Sequence, residues 1–218
     1  MPGPGSALRS TVGSLIRGLS RWAGRMAAIG PTDRAAQDYG RFGKGSIVAW
    51  PRGAGFGERW IWLGSDTLIA AHVTLSAGMG PGQEMVTDPV VRIGDRCLIG
   101  RGTAVVGHFS IDIGDDVYMG MNIYITDQNH GYEDLDRPIG TQTPSDEAVS
   151  IGSGSWIGSG AVILPGARIG SHVVVGANSV VRGDVPDNSV VVGSPARVVR
   201  HHDGSGWKRD NPDQPAPG

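Results

Sequence analysis

Cysteine is nearly missing from this 218-residue chain. Cys97 stands alone, which excludes an intramolecular disulfide and fits a reducing compartment. Aromatic side chains make up 6% of the residues and charged ones 18%, with 19 basic against 21 acidic groups. The formal net charge of −2 gives no global pull toward nucleic acid or anionic surfaces. No apolar run nears the roughly 18 residues of a membrane span. The first residues also lack the unbroken apolar core of a secretory leader. The expectation is a cytoplasmic protein of one domain with tails. Glycine, by contrast, is abundant at 36 residues and follows no Gly-X-Y period, which points to tight corners between short strands.

Between residues 151 and 181 an aliphatic residue recurs every six positions: Ile151, Ile157, Ile163, Ile169, Val175 and Val181. Glycine follows four of them, at 152, 158, 170 and 176. A six-residue period is neither helical nor hairpin-like and predicts a β-helix in which each short strand and its corner use six residues. The pattern begins weakly near Ile47 and is clear at Leu63, Ile69 and Leu75. It returns at Ile93, Ile99 and Val105, slips by two residues around His108, and continues through Ile113, Met119 and Ile125. Two longer breaks occur, Ala77 to Pro89 and Thr126 to Val149. Positions two before the periodic residues are small or β-branched, such as Thr67, Cys97, Thr103, Ser155, Ala161, Ala167 and Ser179. Alternation along a strand predicts that both members of each pair point inward. Three strands per turn give a triangular prism. Cys97 falls in this inward set and reads as a packed small residue rather than a nucleophile.

From Ala7 to about Ile29, Leu8, Val12, Leu15, Leu19, Trp22 and Met26 form a helical stripe, with Arg9, Arg17, Arg21 and Arg25 largely off it. Two uses fit: docking on this or a neighbouring subunit, or peripheral contact with a membrane surface. The predicted organisation is an N-terminal helix and linker over 1–45, a β-helical domain over 46–200, and a flexible tail over 201–218.

The stretch Ile113–Ile125, the loop holding His130, and residues 151–200 resemble the hexapeptide-repeat O-acetyltransferases, in the maltose/galactoside and polysaccharide acetyltransferase branch. The closest phrases are Ser155-Trp-Ile-Gly-Ser, Ile163-Leu-Pro-Gly-Ala-Arg-Ile-Gly and Gly193-Ser-Pro-Ala-Arg-Val-Val-Arg. The resemblance covers about residues 91–200. It implies an all-β, left-handed parallel β-helix and a homotrimer with active sites between subunits. It also implies an acyl-coenzyme A donor, acetyl-CoA above all, a sugar or glycan acceptor, and no metal.

Acyl transfer from a thioester to a hydroxyl needs a base, donors for the oxyanion, and a track for the long donor. His130, on a loop that can leave the prism, suits the base. Asp127 and Glu133 are candidates to hold its other ring nitrogen. The resemblance assigns Asn122 to the acceptor beside the base and the Ser159 N–H to the thioester carbonyl. It assigns Trp156 and the Ala177 backbone to the pantetheine arm, and Arg182, Arg197 and Arg200 to the nucleotide end. Gly183 stands where relatives often carry Lys, so those contacts are expected to be rearranged. Asp127, Glu84 and Met85, in the two long breaks, are expected to face the acceptor. His108 is a weaker rival for the base. A noncatalytic scaffold and an acetyltransferase acting on an antibiotic are the alternatives. A zinc enzyme is disfavoured, because the only adjacent histidines, His201 and His202, lie beyond the coils.

Overall fold

The computed structural model describes residues 4–210, with side chains in the N-terminal helix from residue 9 onward. The first three residues, the side chain of Leu8 and residues 211–218 lie outside the described residues.

The hexads form a left-handed parallel β-helix of seven coils. The first face stacks Arg41–Phe42, Ile61–Leu63, Val91–Ile93, Ile111–Ile113, Val149–Ile151, Arg168–Ile169 and Asp184–Val185. The second stacks Ile47–Val48, Leu68–Ile69, Leu98–Ile99, Tyr118–Met119, Trp156–Ile157, Val174–Val175 and Ser189–Gly193. The third stacks Gly55–Phe56, Thr74–Ala77, Ala104–Gly107, Tyr124–Thr126, Val162–Ile163 and Val180–Val181. Ile151 pairs with Ile169 and Ile157 with Val175, one full turn of three hexads apart.

Every periodic aliphatic from Leu63 to Val181 is buried, so the axis is a continuous stack of branched side chains. The small residues two positions earlier are buried beside them, and their hydroxyls serve the backbone. Thr67 Oγ1 donates to the Gly94 carbonyl and accepts from Cys97 N–H, at 2.8 and 3.0 Å. Cys97 is sealed in this set, and burial pushes its thiol pKa up. The first coil departs from the expected phase. Ile47 points outward and Val48 is the buried residue, so the inward position comes one residue later there.

A second ladder runs up the corner between the first and second faces. Ser65 N–H donates to Asp95, Asp95 N–H to Asp115, and Asp115 N–H to Ser153, at 2.7, 2.9 and 3.0 Å. The glycine preceding each of these residues is required by close approach. A Cβ on Gly94 would lie 2.3 Å from the Asp115 carboxylate.

The three interruptions of the hexads beyond Leu63 leave the prism at one edge, the corner between the third face and the next first face. Residues 78–89 follow Thr74–Ala77, residues 108–110 follow Ala104–Gly107, and residues 127–148 follow Tyr124–Thr126. Those three strands are neighbours in the third sheet, so the insertions are stacked one above another.

Two expectations change at the ends. The helix Pro4–Ala27 (α1) forms, but Val12, Leu15, Ile16, Leu19, Trp22 and Met26 are all exposed, so the stripe does not dock on its own domain. The tail expected from 201 is structured through residue 210. The chain reverses after Gly193, and Ala196–His202 pairs antiparallel with Ser189–Gly193. Trp207–Arg209 then pairs antiparallel with residues 200–202, and His201 Nδ1 lies 2.7 Å from Asp210. The register of the axial stack sets a testable cost. Ile157→Ala, which opens a cavity between coils, is expected to lose about 2–5 kcal/mol in denaturant unfolding.

Candidate functional site

His130 follows the short strand Gln128–Asn129, which pairs antiparallel with Ser145–Asp146. This hairpin holds the 127–148 insertion against its own base, and Gln128 Nε2 donates to Asp146 Oδ1 at 2.8 Å. Gln142 packs the outer part of the insertion. Its amide donates to the carbonyls of Asp134 and Arg137, at 2.8 and 3.0 Å, and accepts from Asp134 N–H. His130 is thereby held out from the prism with its ring exposed.

Asp127 does not play the part expected of it. It is fully buried, and its carboxylate accepts the backbone N–H groups of His108, Phe109 and Ser110 at 2.8, 2.9 and 2.7 Å. Three donors occupy the carboxylate, so it reaches neither an acceptor molecule nor the ring of His130. Its own carbonyl accepts Glu147 N–H at 2.7 Å. Asp127 therefore ties the slip at residues 108–110 to both ends of the His130 insertion. The two-residue slip presents three N–H groups to that carboxylate. Glu133 is engaged as well, accepting Tyr132 N–H at 2.9 Å, and among the described residues no group hydrogen-bonds the His130 ring. His108 is half-buried, and its Nδ1 is buried without a hydrogen-bond partner among the described residues.

Glu84 is exposed on the 78–89 insertion, at the same edge as His130. Met85 is half-buried and packs on the core, with its sulfur against Gly78, so it braces the loop rather than facing solvent freely. Arg182 also lies at this edge, on the corner after Val180–Val181.

The other assigned residues gather elsewhere, at the corner between the second and third faces. Asn122, Ser159 and Ala177 occupy it in three successive coils. Ser159 Oγ accepts Met121 N–H at 3.0 Å, and Asn178 N–H donates to the Ser159 carbonyl at 3.0 Å. Asn122 sits at φ 56°, a left-handed corner that asparagine tolerates, with its amide oxygen over Gly102. Ser159 is exposed, and its own N–H is not used within the described residues. Asn122 and Asp127 bracket the third-face strand, so a strand's length of roughly 16 Å separates this corner from the His130 edge.

Trp156 projects from the second face beside this corner and is 53% exposed. It stands in an outward column that continues from Tyr118 below it, and above it Trp156 pairs with Val174, Val174 with Val190, and Val190 with Arg200. Residues directly opposite on paired strands share a face. At 4.7–4.9 Å per strand the column spans about 14 Å from indole to guanidinium. Arg197, opposite Val192, lies on the same face, and Arg209, opposite Arg200, extends it. Arg209 was missed in the sequence because it falls in the stretch assigned to the tail. Among the described residues no three His, Cys, Asp or Glu side chains are grouped to hold a metal ion.

Two family models match the chain: bacterial transferase hexapeptide (six repeats) over residues 148–183, and hexapeptide repeat of succinyl-transferase over residues 90–127. The chain is 35% identical over 143 residues to a probable acetyltransferase of Mycobacterium tuberculosis, matching 66% of this chain and 43% of that protein. It is 31% identical over 157 residues to the putative lipopolysaccharide biosynthesis O-acetyl transferase WbbJ of Escherichia coli, matching 68% of this chain and 80% of that one. It thus spans less than half of the mycobacterial relative but most of the second. Among solved structures, a mutant of AntD, an N-acyltransferase from Bacillus cereus in complex with dTDP-4-amino-4,6-dideoxyglucose and coenzyme A, superposes with a TM-score of 0.67. The match has 20% identity and covers 79% of this chain and 89% of that one. At that identity the likeness shows the shared fold.

The triple hydrogen bond to Asp127 generates a prediction. Asp127→Ala leaves three part-buried N–H groups without their carboxylate and is expected to destabilise the protein by about 3 kcal/mol or more, at roughly 1–3 kcal/mol per buried donor left unpaired. It should also speed limited proteolysis within 127–148. An unchanged digestion pattern would show that the insertion is held by other contacts.

Proposed function

The chain belongs to the hexapeptide-repeat acyltransferase family, and on that premise we propose that it is a coenzyme A-dependent O-acyltransferase. It moves an acetyl or other short acyl group to a hydroxyl of a sugar, glycan precursor or polysaccharide. The observation that carries this reading is the column from Trp156 to Arg200. An aromatic wall, a stripe of valines and a cluster of arginines follow one another over about 14 Å. That order matches a thiol-ended, largely apolar arm leading to a phosphorylated nucleotide. Arg197, Arg200 and Arg209 supply guanidinium groups for the phosphates. O-acetyl transfer is also the activity named for WbbJ, the relative that this chain covers most fully of the two. A thioester donor of this kind places the reaction in the cytoplasm.

In the proposed mechanism, His130 takes the proton from the acceptor hydroxyl as its oxygen attacks the thioester carbonyl. The Ser159 N–H, left unused by the fold and facing solvent, donates to the developing oxyanion. A fixed donor of this kind contributes about 2.7–4 kcal/mol to the transition state. Collapse of the tetrahedral intermediate breaks the carbon–sulfur bond. The departing thiolate receives the proton from His130, and the acyl ester stays on the acceptor. Asn122 orients the acceptor at the same corner as Ser159.

One chain cannot perform these steps alone, because His130 stands at one edge and Asn122, Trp156, Ser159 and Ala177 at another. A trimer in which the His130 edge of one prism meets the second-to-third corner of the next completes three sites. Glu84 and Arg182 then face the donor corner across the same boundary.

His130→Ala is expected to lower kcat by about 10²-fold or more while calorimetric binding of acetyl-CoA survives. Thiol release from acyl-CoA with a panel of sugars and oligosaccharides reads this directly, since the buried Cys97 adds no background in the folded protein. Near-wild-type turnover would remove His130 from the mechanism. Absence of acyl-CoA binding to the wild-type protein would point to a scaffold instead. The shared site makes a separate prediction. Equal amounts of His130→Ala and Trp156→Ala subunits, unfolded and reassembled together, should regain about a quarter of wild-type sites, whereas sites within single chains would regain none.

A further inference from the structure

We propose that α1 is an in-plane anchor that lays its apolar face on a bilayer bearing anionic lipid. The helix is exposed along its described length, and Leu15, Ile16, Leu19 and Met26 are each 63–69% exposed. With 100° between successive residues, Val12, Leu15, Ile16, Leu19, Trp22, Ala23 and Met26 fill one arc of about 120°. The rest of the circumference carries Arg9, Arg17, Arg21 and Arg25 with serines and glycines. No helix among the described residues is long and apolar enough to cross a membrane, so this one would lie along a surface rather than span.

Charge selects the occupant. The first 32 residues contain four arginines and no acidic residue, in a chain whose net charge is −2. The remainder therefore carries −6, and the positive charge sits on the helix that carries the exposed stripe. Only Arg9 and Arg25 flank the stripe, so a second copy of α1 would find no acidic partner along its seam, whereas paired helices flank their seam with opposite charges. Anionic headgroups complement this pattern, and Trp22 supplies the amphipathic ring that favours the headgroup level. The polar face points the same way. Gly13, Gly18 and Gly24 stand within the helix, where glycine is the poorest former after proline. A helix weakened in this manner gains most from a surface that buries its apolar side.

Placement keeps the anchor clear of the site. The Ile29 N–H bonds to the Val48 carbonyl and the Val48 N–H to the Ile29 carbonyl, both at 2.9 Å, which ties α1 to the first coil. The His130 insertion leaves from the fourth coil. Three such helices on one assembly would bind with avidity.

The test is co-sedimentation of the full chain with phosphatidylcholine vesicles, with and without about one-third phosphatidylglycerol. The anionic vesicles should retain about tenfold or more protein, falling as salt is raised. The double variant Leu15→Glu/Leu19→Glu should lose the binding, and Arg17→Gln/Arg21→Gln should reduce it to the level of neutral vesicles. Sedimentation velocity on both variants should show the wild-type oligomer. Equal retention on the two vesicle types, or no retention, overturns the proposal. A changed oligomer in Leu15→Glu/Leu19→Glu also overturns it, because the stripe is then covered by another copy of the chain.

Discussion

Everything in this molecule depends on in-register stacking. A parallel coil of three six-residue steps repeats only if each inward side chain lies over its counterpart in the next turn. Leu63, Ile93, Ile113, Ile151 and Ile169 do so on the first face. An extra residue within a strand would turn the following side chains to the wrong face. Extra chain is therefore tolerated only at corners, where it can leave the stack and return. Beyond Leu63 the protein places its three insertions at the same corner, so a constraint on packing becomes a rule about where chemistry can be built.

That rule explains which parts of the site were legible in the sequence. The hexads, their inward partners and the site of each interruption follow from spacing, because the stack enforces the spacing. The outward column from Trp156 to Arg200 follows only partly. Its first steps lie 18 and 16 residues apart, but its last runs through an antiparallel reversal after Gly193 that the hexads do not encode. The pairing of Arg200 with Arg209 was hidden for the same reason. Polar and Pro-rich composition beyond His201 looks like a tail, yet backbone pairing to an exposed sheet edge asks little of side-chain hydrophobicity.

Asp127 shows the opposite failure. A carboxylate three residues before a candidate base invites a catalytic role, and nothing local reveals that it lies inside the corner. The signal was present elsewhere, in the two-residue slip at His108 almost one turn earlier. An insertion too short to reach outward has to satisfy its own N–H groups, and a buried carboxylate one coil above does that with three bonds. Asn122 illustrates a milder ambiguity, since the corner itself favours asparagine whatever the residue also does for a ligand.

The reversal at the end of the chain has a further consequence. A stack of parallel strands has two open ends, each a template on which another chain can add strands without limit. On the second face both ends are closed by segments running the other way. Ile29 lies antiparallel to Val48 at one end, and Ala196–His202 followed by Trp207–Arg209 does so at the other, with Lys208 and Arg209 on the outermost strand. On this face the prism thus ends in backbone of the wrong polarity for a second prism to continue, and at one of the two ends in like charge as well.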